Sequence, residues 1–242
     1  PRNHGFDEFY GILYSNDMWP KHPQQGTVFN FPDIFLYENE TPLRVLEDQT
    51  FLTNALTEKA IAFIKKNKEA PFFVYLPHPQ PHVPLFAAEI FQKTQDRGLY
   101  GDVIHEIDHS VGRILKTLKE EGLDDNTIVV FTSDNGPWLQ TDLSGGTAGM
   151  LRDGKGSTFE GGVREPTIFW GPGHVQPGRI NQIGSTMDLF ATFSAMAGVA
   201  LPEDRVLDSY DLSPVLLKRL EGEREKLFYY RERELYALRL GA

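Results

Sequence analysis

Thr127-Ile128-Val129-Val130-Phe131-Thr132-Ser133-Asp134-Asn135-Gly136 reads as a buried strand running into a polar loop. Four consecutive apolar residues, three of them β-branched, suit a strand covered on both faces. Working outward, Phe72-Phe73-Val74-Tyr75-Leu76 is a second short apolar run, set off by Pro71 and followed by the proline-braced segment Pro77 to Pro84. A helix is expected from about Asp48, a candidate N-cap, to about Lys68. Its apolar positions Phe51, Leu52, Ala55, Leu56, Ala60, Ile61 and Ile64 follow helical spacing, and lysines crowd its end. A second helix is expected from Leu99 to Glu121, with Gly122 suited to the C′ position. Downstream come a glycine-rich loop from Gly145 to Gly162, a third strand at Thr167 to Trp170 and a third helix at Ser185 to Ala197. This order implies an α/β sheet with mainly parallel strands flanked by helices. Residues 1 to 47 read as ordered loop with weak strands at Val28 to Phe31 and Ile34 to Tyr37. Beyond Leu212 the chain turns helical and charged, and Leu227 to Arg231 with Leu235 to Arg239 look like a hairpin.

The 242 residues suffice for one good-sized domain and leave room for part of a second, and 40% are hydrophobic, enough for a packed core. A formal net charge of −10 argues against a nucleic-acid partner, because phosphate backbones select basic surfaces. An anion could still bind where lysines or a metal ion concentrate positive charge locally. The absence of cysteine excludes disulfides, thiolate metal sites and a cysteine nucleophile within these residues. No apolar run is long enough to span a bilayer. The chain opens at Pro1 with neither an initiator Met nor a signal peptide, and a true N-terminus further upstream is expected.

Ligands of open α/β sheets sit at the carboxyl ends of the strands, and two polar clusters occupy such positions. Asp134 and Asn135 are hard oxygen donors suited to Ca²⁺ or Mg²⁺, although Asp-Asn-Gly-Pro is also ordinary turn chemistry. His78-Pro79-Gln80-Pro81-His82 follows the strand at 72–76. His82 could donate to an anion or protonate a leaving group, or simply pack in its loop. Gly149 to Gly156 nearly spells a phosphate-binding P-loop but has Gly156 where a hydroxyl residue is required, so that reading fails. Lys155 in the same loop is a candidate cation for an oxyanion. Arg164 reads as structural, pairing with a nearby acid, and Asp108 and His109 as polar residues of a helix face. Asn39-Glu40-Thr41 fits a glycosylation sequon, a short match that arises often by chance.

Together these segments resemble the type I sulfatase family, arylsulfatase A-like, of the alkaline-phosphatase superfamily. The resemblance is carried by His4-Gly5-Phe6-Asp7-Glu8-Phe9-Tyr10-Gly11, by Pro71 to Leu76 with His82-Val83-Pro84, by Thr132 to Gly136, by Gly154-Lys155-Gly156 to Glu160-Gly161-Gly162-Val163-Arg164-Glu165-Pro166, and by Phe228 to Arg231 with Ala237-Leu238-Arg239. It implies an alkaline-phosphatase-like fold, with the start of a small C-terminal antiparallel sheet, and hydrolysis of sulfate monoesters of small molecules or glycans. It divides the chain into residues 1–211, the distal part of the catalytic domain, and 212–242, a linker helix and the start of a C-terminal subdomain.

The resemblance also implies a Ca²⁺ ion with Asp134 and Asn135 among its ligands, and sulfate contacts from Lys155 and His82. It implies a formylglycine nucleophile made from Cys or Ser in a C/S-x-P-S/A-R element, and a periplasmic, secreted or lysosomal location. No C/S-x-P-S/A-R element occurs in these residues, nor do the paired aspartates of the family's other calcium half-site. A fragment inactive by itself is therefore expected. The alternatives are a phosphatase or phosphonate hydrolase of the same superfamily and a non-catalytic binder of sulfated glycans.

Overall fold

A computed structural model describes residues 1–241. It divides into two compact units, Pro1–Leu123 with Gln140–Gly146, and Asp124–Leu139 with Thr147 onward.

In the first unit, β1 (Tyr10–Ile12), β2 (Phe35–Glu38) and β3 (Thr41–Val45) form an antiparallel sheet in sequence order. Asn39 makes the β2–β3 turn at φ +55°, a conformation asparagine tolerates better than most residues. Its Oδ1 accepts the Phe9 N–H at 3.0 Å, so the asparagine of the sequon works as a turn brace. Helix α1 (Leu52–Lys66) buries Leu52, Leu56, Ala60, Ile61 and Ile64, the helical stripe seen in the sequence. Leu52 and Leu56 join Trp19, Ile34, Leu36 and Leu46 in a core between helix and sheet. Each such side chain contributes about 1.5–3 kcal/mol by leaving water. Asp48 is not the N-cap. Its carboxylate accepts the Thr50 N–H (3.0 Å) and hydroxyl (2.6 Å), forming a turn of its own four residues ahead of the helix. Helix α2 (Gly98–Glu120) packs along α1. It ends as expected, with Gly122 at φ +67° and the Gly122 and Leu123 N–H groups on the Lys119 and Leu118 carbonyls.

In the second unit, β4 (Val129–Phe131) pairs with β5 (Ile168–Trp170). The pairing is antiparallel, as are all named strand pairs among the described residues, so the mainly parallel pairing expected from element order is corrected there. A parallel connection needs a long crossover, usually a helix. Residues 132–167 contain only loops, short turns and the four-residue helix α3 (Glu160–Val163). In the first unit, residues 72–76 alternate between half-buried and exposed but form no named strand among the described residues. The weak strand at Val28 to Phe31 reduces to an isolated bridge between Gln25 and Phe29. Helices α4 (Asp188–Ala197) and α5 (Ser213–Lys218) precede the hairpin of β6 (Lys226–Arg231) and β7 (Glu234–Leu240), where the sequence placed a hairpin.

Candidate functional site

The register of β4 against β5 sets Phe131 opposite Ile168, which brings the residues after β4 beside those before β5. The Thr132 and Thr167 hydroxyls lie 3.0 Å apart. Ser133 Oγ donates to the Asn135 carbonyl at 3.1 Å, closing the loop on itself. Asn135 turns its Nδ2 to the Gly136 carbonyl (3.2 Å), which leaves Oδ1 to face other partners. Among the described residues no hydrogen bond is made to Asn135 Oδ1 or to the exposed Asp134 carboxylate. Glu165 adds a second carboxylate. Burial, and then the charge of Asp134, push its pKa up, and its Oε1 is buried without a hydrogen-bond partner. Hard oxygens, two neighbouring carboxylates and an unpartnered buried oxygen form a donor set that suits a divalent cation such as Ca²⁺.

The loop at 152–162 interlocks with this segment. The Gly136 N–H donates to the Gly162 carbonyl (3.1 Å), and the Lys155 N–H to the Pro137 carbonyl (2.9 Å). The approach leaves no room for side chains. A Cβ on Gly136 would fall 1.8 Å from the Gly161 carbonyl oxygen, and one on Gly154 2.3 Å from that of Pro137. Lys155 is thereby fixed to the Asp134 loop through its backbone, and its ammonium sits 5.2 Å from the centre of the Trp138 ring. It makes no ion pair among the described residues, so its charge is left for another anion. Arg164 pairs with Glu160 at 3.2 Å, in the structural role expected, and Glu160 also holds Arg239 at 2.7 Å.

The first unit carries the histidine loop. His82 Nδ1 lies 2.7 Å from the Val83 carbonyl oxygen. A carbonyl only accepts, so Nδ1 carries the proton and Nε2 is the ring atom that accepts when the ring is neutral and donates when it is charged. His78 is the opposite tautomer. Thr57 Oγ1 donates to the Thr53 carbonyl (2.7 Å), which makes Ser110 Oγ the donor to Thr57 (2.6 Å) and His78 Nε2 the donor to Ser110 (3.2 Å). His78 Nδ1 is then a bare, buried acceptor.

Burial lowers the His78 pKa from 6.5 to about 4. Above pH 6.5 the ring is neutral in both folded and unfolded chains and adds no pH dependence. As pH falls below 6.5 the unfolded chain takes the proton first, and stability drops until the folded ring also titrates near pH 4. A loss of about 3 kcal/mol over that window is expected. Urea unfolding between pH 7 and pH 4 checks it: His78→Leu should abolish this part of the acid sensitivity.

Of the four residues proposed from sequence, Asp134, Asn135 and Lys155 lie in the second unit, where two loops bring them together, and His82 lies in the first. Sequence reading passed over Glu165 because its neighbour Arg164 offered the simpler role. The antiparallel register was the signal that would have set it beside Asp134.

The family model described as Sulfatase matches residues 1–199. The chain is 41% identical over 251 residues to an N-acetylgalactosamine-6-sulfatase of Canis lupus familiaris, with all of this chain and 47% of that protein covered. It is 36% identical over 260 residues to arylsulfatase A of Homo sapiens, again over its whole length and 51% of that protein. It therefore spans about half the length of these relatives. The crystal structure of the PsFucS1 sulfatase from Pseudoalteromonas sp. superposes with a TM-score of 0.89 at 25% identity, covering 99% of this chain and 53% of that one. A phosphonate monoester hydrolase from Silicibacter pomeroyi matches with a TM-score of 0.61 at 20% identity, over 78% of this chain and 46% of its own, which shows a shared fold alone.

Proposed function

This chain belongs to the sulfatase family, with the alkaline-phosphatase-like α/β fold of its structural neighbours, and we propose that it forms part of a calcium-dependent sulfuric ester hydrolase acting on sulfate monoesters, including those of carbohydrates. The observation that carries the reading is the pair of oxygen donors at Asp134 and Asn135, unengaged by hydrogen bonds, beside the buried carboxylate of Glu165 and tied by backbone to Lys155.

Asp134 and Asn135 would hold the ion through their side-chain oxygens. The ion would supply the positive charge that a sulfate needs on an acidic chain. The Lys155 ammonium, directed by its backbone bond to Pro137 and its seat on Trp138, would meet a sulfate oxygen. His82 is assigned on the family resemblance. With Nδ1–H held by the Val83 carbonyl, it can hand a proton to a departing oxygen only from Nε2, and so must enter the reaction charged. A periplasmic, secreted or lysosomal location belongs to the same proposal. No helix among the described residues is long and apolar enough to cross a membrane.

Calcium titration of the 242-residue chain by calorimetry tests the reading. Asp134→Ala should weaken binding at least tenfold, about 1.4 kcal/mol, and unchanged affinity would refute the assignment. The competing reading, a phosphatase or phosphonate hydrolase, has the shared fold in its favour. It predicts preference for paired zinc over calcium in the same titration, which the amide at position 135 disfavours.

A further inference from the structure

We propose that Asn16 and Gln80 are positioning residues for His82, acting through the single carbonyl of Pro84. Two side-chain amides converge on that oxygen: Asn16 Nδ2 at 3.3 Å and Gln80 Nε2 at 3.1 Å. They come from different stretches, Asn16 from the loop after β1 and Gln80 from the histidine loop itself. Gln80 also accepts the Phe86 N–H through its Oε1 at 3.2 Å, closing both ends of the turn at 84–86. Asn16 is held in turn, its main-chain carbonyl receiving Gln49 Nε2 at 2.9 Å. All three amides are buried, with Asn16 only 1% exposed.

Burying amides is costly unless they are bonded, and apolar side chains could have packed the same loop. What amides add is direction, since a hydrogen bond weakens steeply off its axis. The direction matters one residue upstream. The peptide planes at 83 and 84 fix where the Val83 carbonyl points, and that carbonyl holds the proton on His82 Nδ1. The clamp thus sets the tautomer of His82, with the proton on Nδ1. This rests on the reading of His82 as a sulfate-contacting group, and the measurement below separates the two.

The test is long-range ¹H–¹⁵N correlation of the His82 ring in the ¹⁵N-labelled 242-residue chain, with inorganic sulfate as the added anion. In the unsubstituted chain Nδ1 should show the shift of a protonated ring nitrogen. In Asn16→Asp and Gln80→Met, each of which removes one donor, it should move toward the average of two exchanging tautomers. Asn16→Asp places a carboxylate in a buried position. If that variant fails to fold, Gln80→Met, in a loop, decides. A folded variant that keeps the Nδ1-protonated ring, even with a lowered unfolding midpoint, makes the amides structural only and overturns the proposal. The sulfate arm reports separately: a His82 Nε2 signal unmoved by sulfate in the unsubstituted chain counts against the sulfate contact, while the variants still decide the clamp.

Discussion

Replacing Asp188 by alanine should cost about 3–5 kcal/mol, enough to unfold most of the second unit. Asp188 is fully buried at the start of α4 and accepts on both oxygens. Oδ2 takes the Ser185 N–H (2.8 Å) and Arg224 Nε (2.9 Å), and Oδ1 takes the Tyr210 N–H (2.9 Å) and Arg224 Nη2 (2.6 Å). Arg224 is as deeply enclosed, lies over the Tyr210 ring at 4.5 Å and donates to the Asp208 carbonyl at 3.1 Å. The carboxylate beside it raises its pKa further. Removing the aspartate strands a guanidinium out of water, where a lone charge is far costlier than a paired one. Urea unfolding of Asp188→Ala measures the loss. The paired replacement Asp188→Leu with Arg224→Met should cost less than Asp188→Ala alone, because no charge is then left unmatched. A single-variant loss below about 1 kcal/mol, the scale of an exposed pair, would show that the pair is not what holds α4 to the segment at 208–212.

The 242-residue chain, given an aryl sulfate and calcium, should show no turnover. On the proposed reading the nucleophile is an aldehyde hydrate made from Cys or Ser within C/S-x-P-S/A-R. The chain has no cysteine, and none of its serines stands in that element. In the roles proposed for them, Asp134, Asn135, Lys155 and His82 would bind, polarise and protonate an ester, and none of these acts replaces attack on sulfur. The control is a chain extended upstream to include such an element. Equal turnover by the two would place the nucleophile within these residues and overturn the site assignment.

Local features were the most legible part of the sequence. The α1 stripe, the Gly122 stop after α2 and the hairpin at the C-terminus each follow from a short-range pattern, and each is where the residues put it. Pairing direction was not legible, because an apolar run such as 128–131 looks alike in parallel and antiparallel ladders. The missing crossover helix between β4 and β5 was the informative sign. Asp48 misled because aspartate serves turns and caps equally well. At the candidate site, Asp134, Asn135, Lys155 and His82 stood out through family motifs. The contacts around these segments did not, since the partners are remote in sequence: Asn16 meets Pro84, Ser110 meets His78, and Glu165 senses Asp134. Arg224, 36 residues from Asp188, left no periodic trace at all.

The interlocked loops around Asp134 also bear on inheritance. Every missense change in a glycine codon adds at least a Cβ. At Gly136 and Gly154 that atom would land 1.8 and 2.3 Å from a main-chain oxygen of the opposite loop, so the two loops must part whichever residue arrives, and at Gly161 it would land 2.0 Å from the Asp153 carbonyl oxygen within its own loop. At Gly112, on α2, the same atom meets open space. Genetic variation should therefore fall unevenly on glycines of one chain. It should be free to accumulate on the helix and be purged from the loops, even though none of the three loop glycines has a side chain to offer a substrate.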